Sequence, residues 1–186
     1  MSGLAAIILA GGRSKRMGRD KAAIRWAGQS AVERLAGLAR SAGAQQVVVS
    51  GGDYGLPFVR DPTPFGGPVG GLLAAAALLP DARRLLVLAV DAPTLSLDDL
   101  APLLDAPAPG AAYLGSPLPM VVARAAVSSG LGCGAPLRRF VELAGLRELQ
   151  PPAGARLRLR GANTPEELSD LIDLRHAPEM RASVAS

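Results

Sequence analysis

The 186-residue sequence is poor in the residues that most often advertise chemistry: it has one cysteine, one histidine and one tryptophan, and aromatic residues make up 3% of it. Cys133 alone cannot close a disulfide within the chain, and with a single histidine no four-ligand zinc site can be assembled, so a reducing, cytoplasmic setting is expected. The scarcity of aromatics argues against a surface that stacks the bases of single-stranded nucleic acid. Long hydrophobic runs are missing too. The longest apolar stretch, residues 69–79, is about half of what a membrane span needs, and the apolar stretch 4–10 has no basic segment ahead of it of the kind that opens a secretory signal. Neither a Ser/His/Asp nor a Cys/His nucleophile set suggests itself. His176 falls in an expected tail and Cys133 between glycines in a loop, so neither is given a role, and Trp26 and Phe65 read as packing residues.

What the chain does have is a globular balance, with 49% hydrophobic and 19% charged residues, at a length that fits one domain. Its net charge of +4 and pI near 10.0 call for an anionic partner, which could be nucleic acid, a membrane surface or a phosphorylated small molecule. The distribution of cations favours the last. Arg13, Lys15, Arg16, Arg19, Lys21 and Arg25 crowd directly behind the pair Gly11-Gly12, a concentration that suits a phosphate pocket.

Periodicity outlines an alternating architecture. Leu4-Ala5-Ala6-Ile7-Ile8-Leu9 and Leu85-Leu86-Val87-Leu88-Ala89-Val90 are continuous apolar runs, as expected for strands buried on both faces. Ser30 and Glu33 form a capping box for a helix over about 30–42, stopped at Gly43. Strands are predicted over 46–50 and 56–60, a helix from Pro68 to just before Pro80, and a helix capped at Ser96 that reaches about Leu104. Beyond 105 the pattern is less regular. A loop is expected at 107–110, a strand over 118–123, and a helix face from Leu137, Phe140, Val141 and Ala144. Leu157 and Leu159, alternating with Arg156, Arg158 and Arg160, predict a half-buried strand with a solvated basic face; Thr164-Pro165-Glu166-Glu167 opens a last helix. The fold class is therefore α/β: one domain, a mostly parallel sheet with helices on both faces, and ligands outside the carboxyl ends of the strands. The domain is placed at residues 1–174 and a loosely held tail at 175–186.

The segment Leu9-Ala10-Gly11-Gly12-Arg13-Ser14-Lys15-Arg16-Met17-Gly18-Arg19-Asp20-Lys21 has the properties that triphosphate binding needs. Glycines let backbone N–H groups approach phosphate, while Arg16 and Lys21 can neutralise its charge. A glycine pair by itself more often just turns the chain; these cations, placed directly after a buried strand, tip the balance. The spacing is neither that of a Walker loop nor G-x-G-x-x-G. Asp91, at the carboxyl end of the second apolar run, is placed to hold magnesium, which takes one or two carboxylates plus substrate phosphate oxygens; a turn or capping Asp before Pro93 is the plainer alternative. A second glycine-rich turn, from Asp61 through Gly66-Gly67-Pro68-Val69-Gly70-Gly71, leads into a helix whose N-terminus would attract polar ligand groups.

Taken in order, Leu9-Ala10-Gly11-Gly12, Arg16-Met17-Gly18 with Asp20-Lys21, Asp61 with Gly67-Pro68-Val69-Gly70-Gly71, Asp91 with Pro93, and Asn163-Thr164-Pro165-Glu166 resemble the molybdenum cofactor guanylyltransferase family over about residues 4–174. The resemblance implies a Rossmann-like three-layer sandwich of the nucleotide-diphospho-sugar transferase type. It implies that Leu9, Ala10, Gly11 and Gly12 contact GTP, that Lys21 meets its phosphates with Arg16 beside it, that Asp61 helps hold the nucleoside, and that Asp91 binds Mg2+. Ser50 occupies a nucleotide-side position where the family usually has Asn; Asn163 matches a residue on the acceptor side, whereas Gly161 departs from an Asn often found there.

The implied reaction moves GMP from GTP to the terminal phosphate of molybdopterin bearing molybdenum, with Arg16, Lys21 and Asp91 as catalytic residues and with delivery or acceptor proteins as further partners. No nucleic acid or membrane partner is expected. Two rivals stay open at this point. One is a related nucleotidyltransferase that uses CTP or another triphosphate, or a different phosphorylated acceptor; the other is a non-catalytic phosphate- or nucleic-acid-binding module, against which an acidic Asp91 facing a phosphate loop argues.

Overall fold

The computed structural model describes residues 3–11, 25–26, 28–60, 66–127 and 134–159. Its centre is a seven-stranded sheet in the order β5-β4-β1-β6-β8-β7-β9. The strands are β1 (Leu4–Leu9), β4 (Gln46–Ser50), β5 (Phe58–Val59), β6 (Arg84–Ala89), β7 (Gly110–Tyr113), β8 (Ser116–Ala123) and β9 (Arg147–Leu149). A two-stranded ribbon of β2 (Arg25–Trp26) and β3 (Gln29–Ser30) stands apart. Strand β1 lies between β4 and β6, parallel to both, with Ile7 opposite Val48 on one side and Val87 on the other. That placement explains its composition, because all six of its residues are buried and an inner parallel strand has no solvent face. The sheet turns antiparallel at β8, which pairs with β6 and β7, while β7 and β9 are again parallel.

Alternation along β1 divides its side chains between two cores. Leu4, Ala6 and Ile8 pack with Val32, Leu35, Ala36 and Ala39 of α1 (Ala31–Ser41) and with Leu100 and Leu103 of α3 (Leu97–Asp105). Ala5, Ile7 and Leu9 face Val69, Leu72, Ala75 and Ala76 of α2 (Gly67–Ala77), joined by Phe140 and Val141 of α4 (Leu137–Leu143). Helices on both faces of a mostly parallel sheet make the predicted three layers.

Helix α1 starts through a complete capping box: Glu33 N donates to Ser30 Oγ at 3.2 Å, and Ser30 N donates to Glu33 Oε2 at 2.7 Å. It ends where Gly43 turns away at φ +94°. Helix α2 carries Pro68 in its first turn, where the missing N–H costs nothing. Helix α3 is fastened at both ends. At its start Ser96 and Asp99 cap one another, and at its end the guanidinium of Arg84 donates to the carbonyls of Leu103, Leu104 and Ala106, a cation set against the negative end of the helix.

Three local expectations are corrected. The strand predicted over 56–60 contracts to Phe58–Val59, and the loop predicted at 107–110 gives way at Gly110 to β7. The alternating stretch around Leu157 and Leu159 is a helical turn, α5 (Ala155–Leu159), and its basic face is not simply solvated. Ala155 is buried and Leu159 packs against the α1/α3 core; they lie four apart, as helical geometry requires. Arg158 forms a bidentate pair with the fully buried carboxylate of Asp99 at 2.6 and 2.7 Å, and this tertiary partner outweighs the alternating pattern. Strand β9 had no advance signal in the sequence.

Candidate active site

The carboxyl ends of β1, β4 and β6 lie side by side because their registers match: Leu9 is opposite Ser50 and also opposite Ala89. The three chains leaving these strands are then stitched by backbone bonds. The Ser50 carbonyl accepts from Ala10 N at 2.7 Å and Gly11 N at 3.1 Å, and the Leu9 carbonyl accepts from Val90 N at 3.2 Å. Gly11 and Asp91, each two residues beyond this matched row and each exposed, therefore sit on one edge of the sheet on neighbouring strands. This is the juxtaposition that a phosphate loop and a metal-binding acid require.

The bonds also sort the roles of the predicted nucleotide residues. Leu9 is 6% exposed with its side chain in the α2/α4 core, and Ser50 is 2% exposed, so both shape the edge from within. The N–H groups of Ala10 and Gly11 are both directed to the Ser50 carbonyl. Gly12, Arg16, Lys21, Asp61 and Asn163 lie outside the described residues, as do Phe65, Cys133, Arg160, His176, the helix expected from Thr164 and the tail.

Gly51 is a residue of this edge that the sequence reading did not single out. Its φ is +131°, and a Cβ there would fall 2.5 Å from Gly11 N and 2.8 Å from the Ala10 carbonyl carbon. Only glycine lets the end of β4 press against the Ala10-Gly11 backbone this closely. A signal existed, since Gly51-Gly52 follows an apolar strand just as Gly11-Gly12 does.

Past Asp91 the chain dives inward, with Ala92, Thr94 and Leu95 buried. Buried carbonyls need donors, and Arg34 of α1 supplies them: its Nε donates to Pro93 O and its Nη2 to Leu95 O at 3.5 Å. The far end of this turn is secured by Asp99. Burial pushes the Asp99 carboxyl up, but the Arg158 hydrogen bond, the backbone and side-chain bonds from Ser96 and the Arg158 charge outweigh it and hold the group below its ordinary value. Tyr113, at the end of β7, donates to the Asp99 carbonyl, and burial followed by the Asp99 charge pushes its phenol up to about 12, which keeps it a donor.

Farther along the same edge, a small cleft of about 50 Å³ beside the turn between β7 and β8 is lined by Tyr113, Ser116, Arg138 and Glu148, among others. Among the described residues no three His, Cys, Asp or Glu side chains gather as a metal site, and no helix is long and apolar enough to cross a membrane. A single carboxylate such as Asp91 nevertheless suits magnesium, whose remaining ligands come from substrate phosphates and water.

The model of the MobA-like NTP transferase domain matches residues 6–150. A protein of Xanthomonas euvesicatoria named molybdenum cofactor guanylyltransferase is 37% identical over 176 residues, covering 89% of this chain and 93% of its own length. Two solved structures share the fold: a nucleotidyl transferase from Methanothermobacter (TM-score 0.68, 19% identity, 93% and 98% of the two chains) and molybdopterin-guanine dinucleotide biosynthesis protein A from Archaeoglobus fulgidus (TM-score 0.57, 19% identity, 92% and 98%). With the glycine loop and Asp91 brought to one edge of a three-layer α/β sandwich, and with that match across most of its length, the chain belongs to the family of MobA-like NTP transferase domains.

Proposed function

We propose that the protein is a molybdenum cofactor guanylyltransferase that transfers GMP from GTP to the terminal phosphate of molybdopterin bearing molybdenum and releases pyrophosphate. The observation that carries this reading is the shared edge of Gly11 and Asp91, and the 37% identity to a protein of that name supports the choice of reaction. A terminal phosphate oxygen of the acceptor attacks the α-phosphorus of GTP. The bond from that phosphorus to the oxygen bridging to the β-phosphate breaks, a new P–O–P link forms, and pyrophosphate carries away the negative charge. The attacking oxygen is already ionised, so no general base is needed, and the work of the protein is positioning and charge neutralisation.

In this reading the loop after Gly11 cradles the triphosphate, Lys21 with Arg16 neutralises the leaving phosphates, and Asp61 holds the nucleoside. Asp91 would hold Mg2+, which when bound draws charge from the phosphate oxygens. Asn163 and the cleft beside Arg138 serve the anionic acceptor, residues 1–174 form the working unit, and the protein acts in the cytoplasm, where delivery or acceptor proteins would exchange the pterin with it.

The test is pyrophosphate release by purified protein with a molybdopterin-loaded partner, each of GTP, CTP, ATP and UTP being supplied with Mg2+. Release with GTP and little with the others is expected. Preferential use of CTP would overturn the assignment of base, and no release with any triphosphate would overturn the reaction.

A further inference from the structure

We infer that Arg34, on α1, is a positioning residue that sets the Asp91 carboxylate at the metal position of the nucleotide site. The inference rests on the reading of Asp91 as a magnesium ligand. Asp91 is exposed, yet the four residues after it turn into the protein and leave a stretch of buried backbone. Buried carbonyls without donors are costly, each by about 1–3 kcal/mol, so this turn keeps its path only if something bonds it. Among the described residues Thr94 Oγ1 is buried without a partner, so that side chain does not brace the turn.

Arg34 does. One guanidinium reaches two carbonyls, Pro93 and Leu95, on either side of Thr94, from a helix anchored by its own capping box and by four buried side chains packed against β1 and its neighbours. Pro93 is two residues from Asp91. The rigid fork of arginine holds both carbonyls at once from two nitrogens, whereas the three donors of lysine sit on one nitrogen at the end of a flexible stem. Groups that orient a metal ligand from behind typically change metal affinity about 10–100-fold when removed. Arg34 acts on Asp91 through the backbone of Pro93 and Leu95.

The test compares wild type with Arg34→Met, Arg34→Lys and Asp91→Asn, by titrating a fluorescent GTP analogue with Mg2+ and again with EDTA. The quantity read is the strengthening of binding by the metal. For Arg34→Met we expect EDTA affinity within about twofold of wild type and a metal-dependent gain reduced roughly tenfold, with Arg34→Lys in between. General damage to the fold would weaken binding in both conditions alike, so the selective loss is what a merely structural role would not produce.

A full metal-dependent gain in folded Arg34→Met, or equal weakening with and without metal, overturns the inference. Should Arg34→Met not fold, Arg34→Lys decides: a partial, metal-selective loss supports the inference and wild-type behaviour overturns it. If wild type shows no metal-dependent gain, or Asp91→Asn retains it, the reading of Asp91 itself fails and the inference falls with it. Loss in Asp91→Asn with retention in Arg34→Met sinks the inference alone.

Discussion

At Gly51 the backbone adopts φ +131° with the neighbouring loop so close that a single added carbon would lie 2.5 Å from Gly11 N. Gly51→Ala must therefore move one backbone or the other. The strain at such a position is about 1–3 kcal/mol, and its relief moves the backbone of Ala10 and Gly11, which under the proposed function opens the nucleotide loop. We expect a fall of that size in unfolding free energy and at least a roughly tenfold loss of GTP affinity, read by urea titration and by the fluorescent-nucleotide assay. Unchanged nucleotide affinity in this variant would show that the contact is only structural. Gly51 sits in plain view after a predicted strand, but its importance comes from a neighbour some forty residues away in sequence, which no local pattern announces.

Helix α3 depends on charge at both ends. Its start is locked by Asp99, which accepts from Ser96 and Arg158, and its end is bonded by Arg84. The folded pKa of Asp99 lies below its ordinary value of 3.8, so the carboxylate contributes stability that is complete above 3.8 and is lost as pH falls through the lower folded value. Asp99→Asn should cost about 2–3 kcal/mol at pH 7, less than a wholly buried pair because the Arg158 side chain is 36% exposed. Urea midpoints measured at pH 7, 5 and 3 should show the gap between wild type and variant closing only at the lowest pH. A gap that persists unchanged at pH 3 would deny the ion pair its role. The same pair explains why the 155–159 stretch is misread from sequence: leucines alternating with arginines look like a half-buried strand until the buried acid that claims Arg158 is known. By contrast α1 was readable to within a residue, because its capping box and the spacing of Val32, Leu35 and Ala39 are all local.

On the scale of the molecule, the site exists because parallel strands place their carboxyl ends together. The chain reaches this edge first at Gly11, again at the end of β4 beside Gly51, and again at Asp91 after α2 and β6. Asp91 is exposed and belongs to neither core cluster, so its replacement should leave the fold intact. We expect Asp91→Ala and Lys21→Ala each to abolish most pyrophosphate release while retaining a wild-type circular dichroism spectrum and melting temperature. Turnover near wild type in either variant would remove that residue from the catalytic set.

The sequence by itself determined which segments are buried on both faces, where they end in glycine or acid, and hence that the Gly11 turn and the Asp91 carboxylate belong to one edge of an α/β sheet. It could do so because hydrophobic periodicity, helix caps and glycine-rich turns are written within a few neighbouring residues. Only the tertiary structure decided that β8 runs antiparallel, that Gly51 abuts Gly11, that Asp99 captures Arg158 and that Arg34 braces the turn behind Asp91. Each of these is a meeting of groups distant along the chain, and such meetings are chosen by packing and by the need to satisfy buried polar atoms.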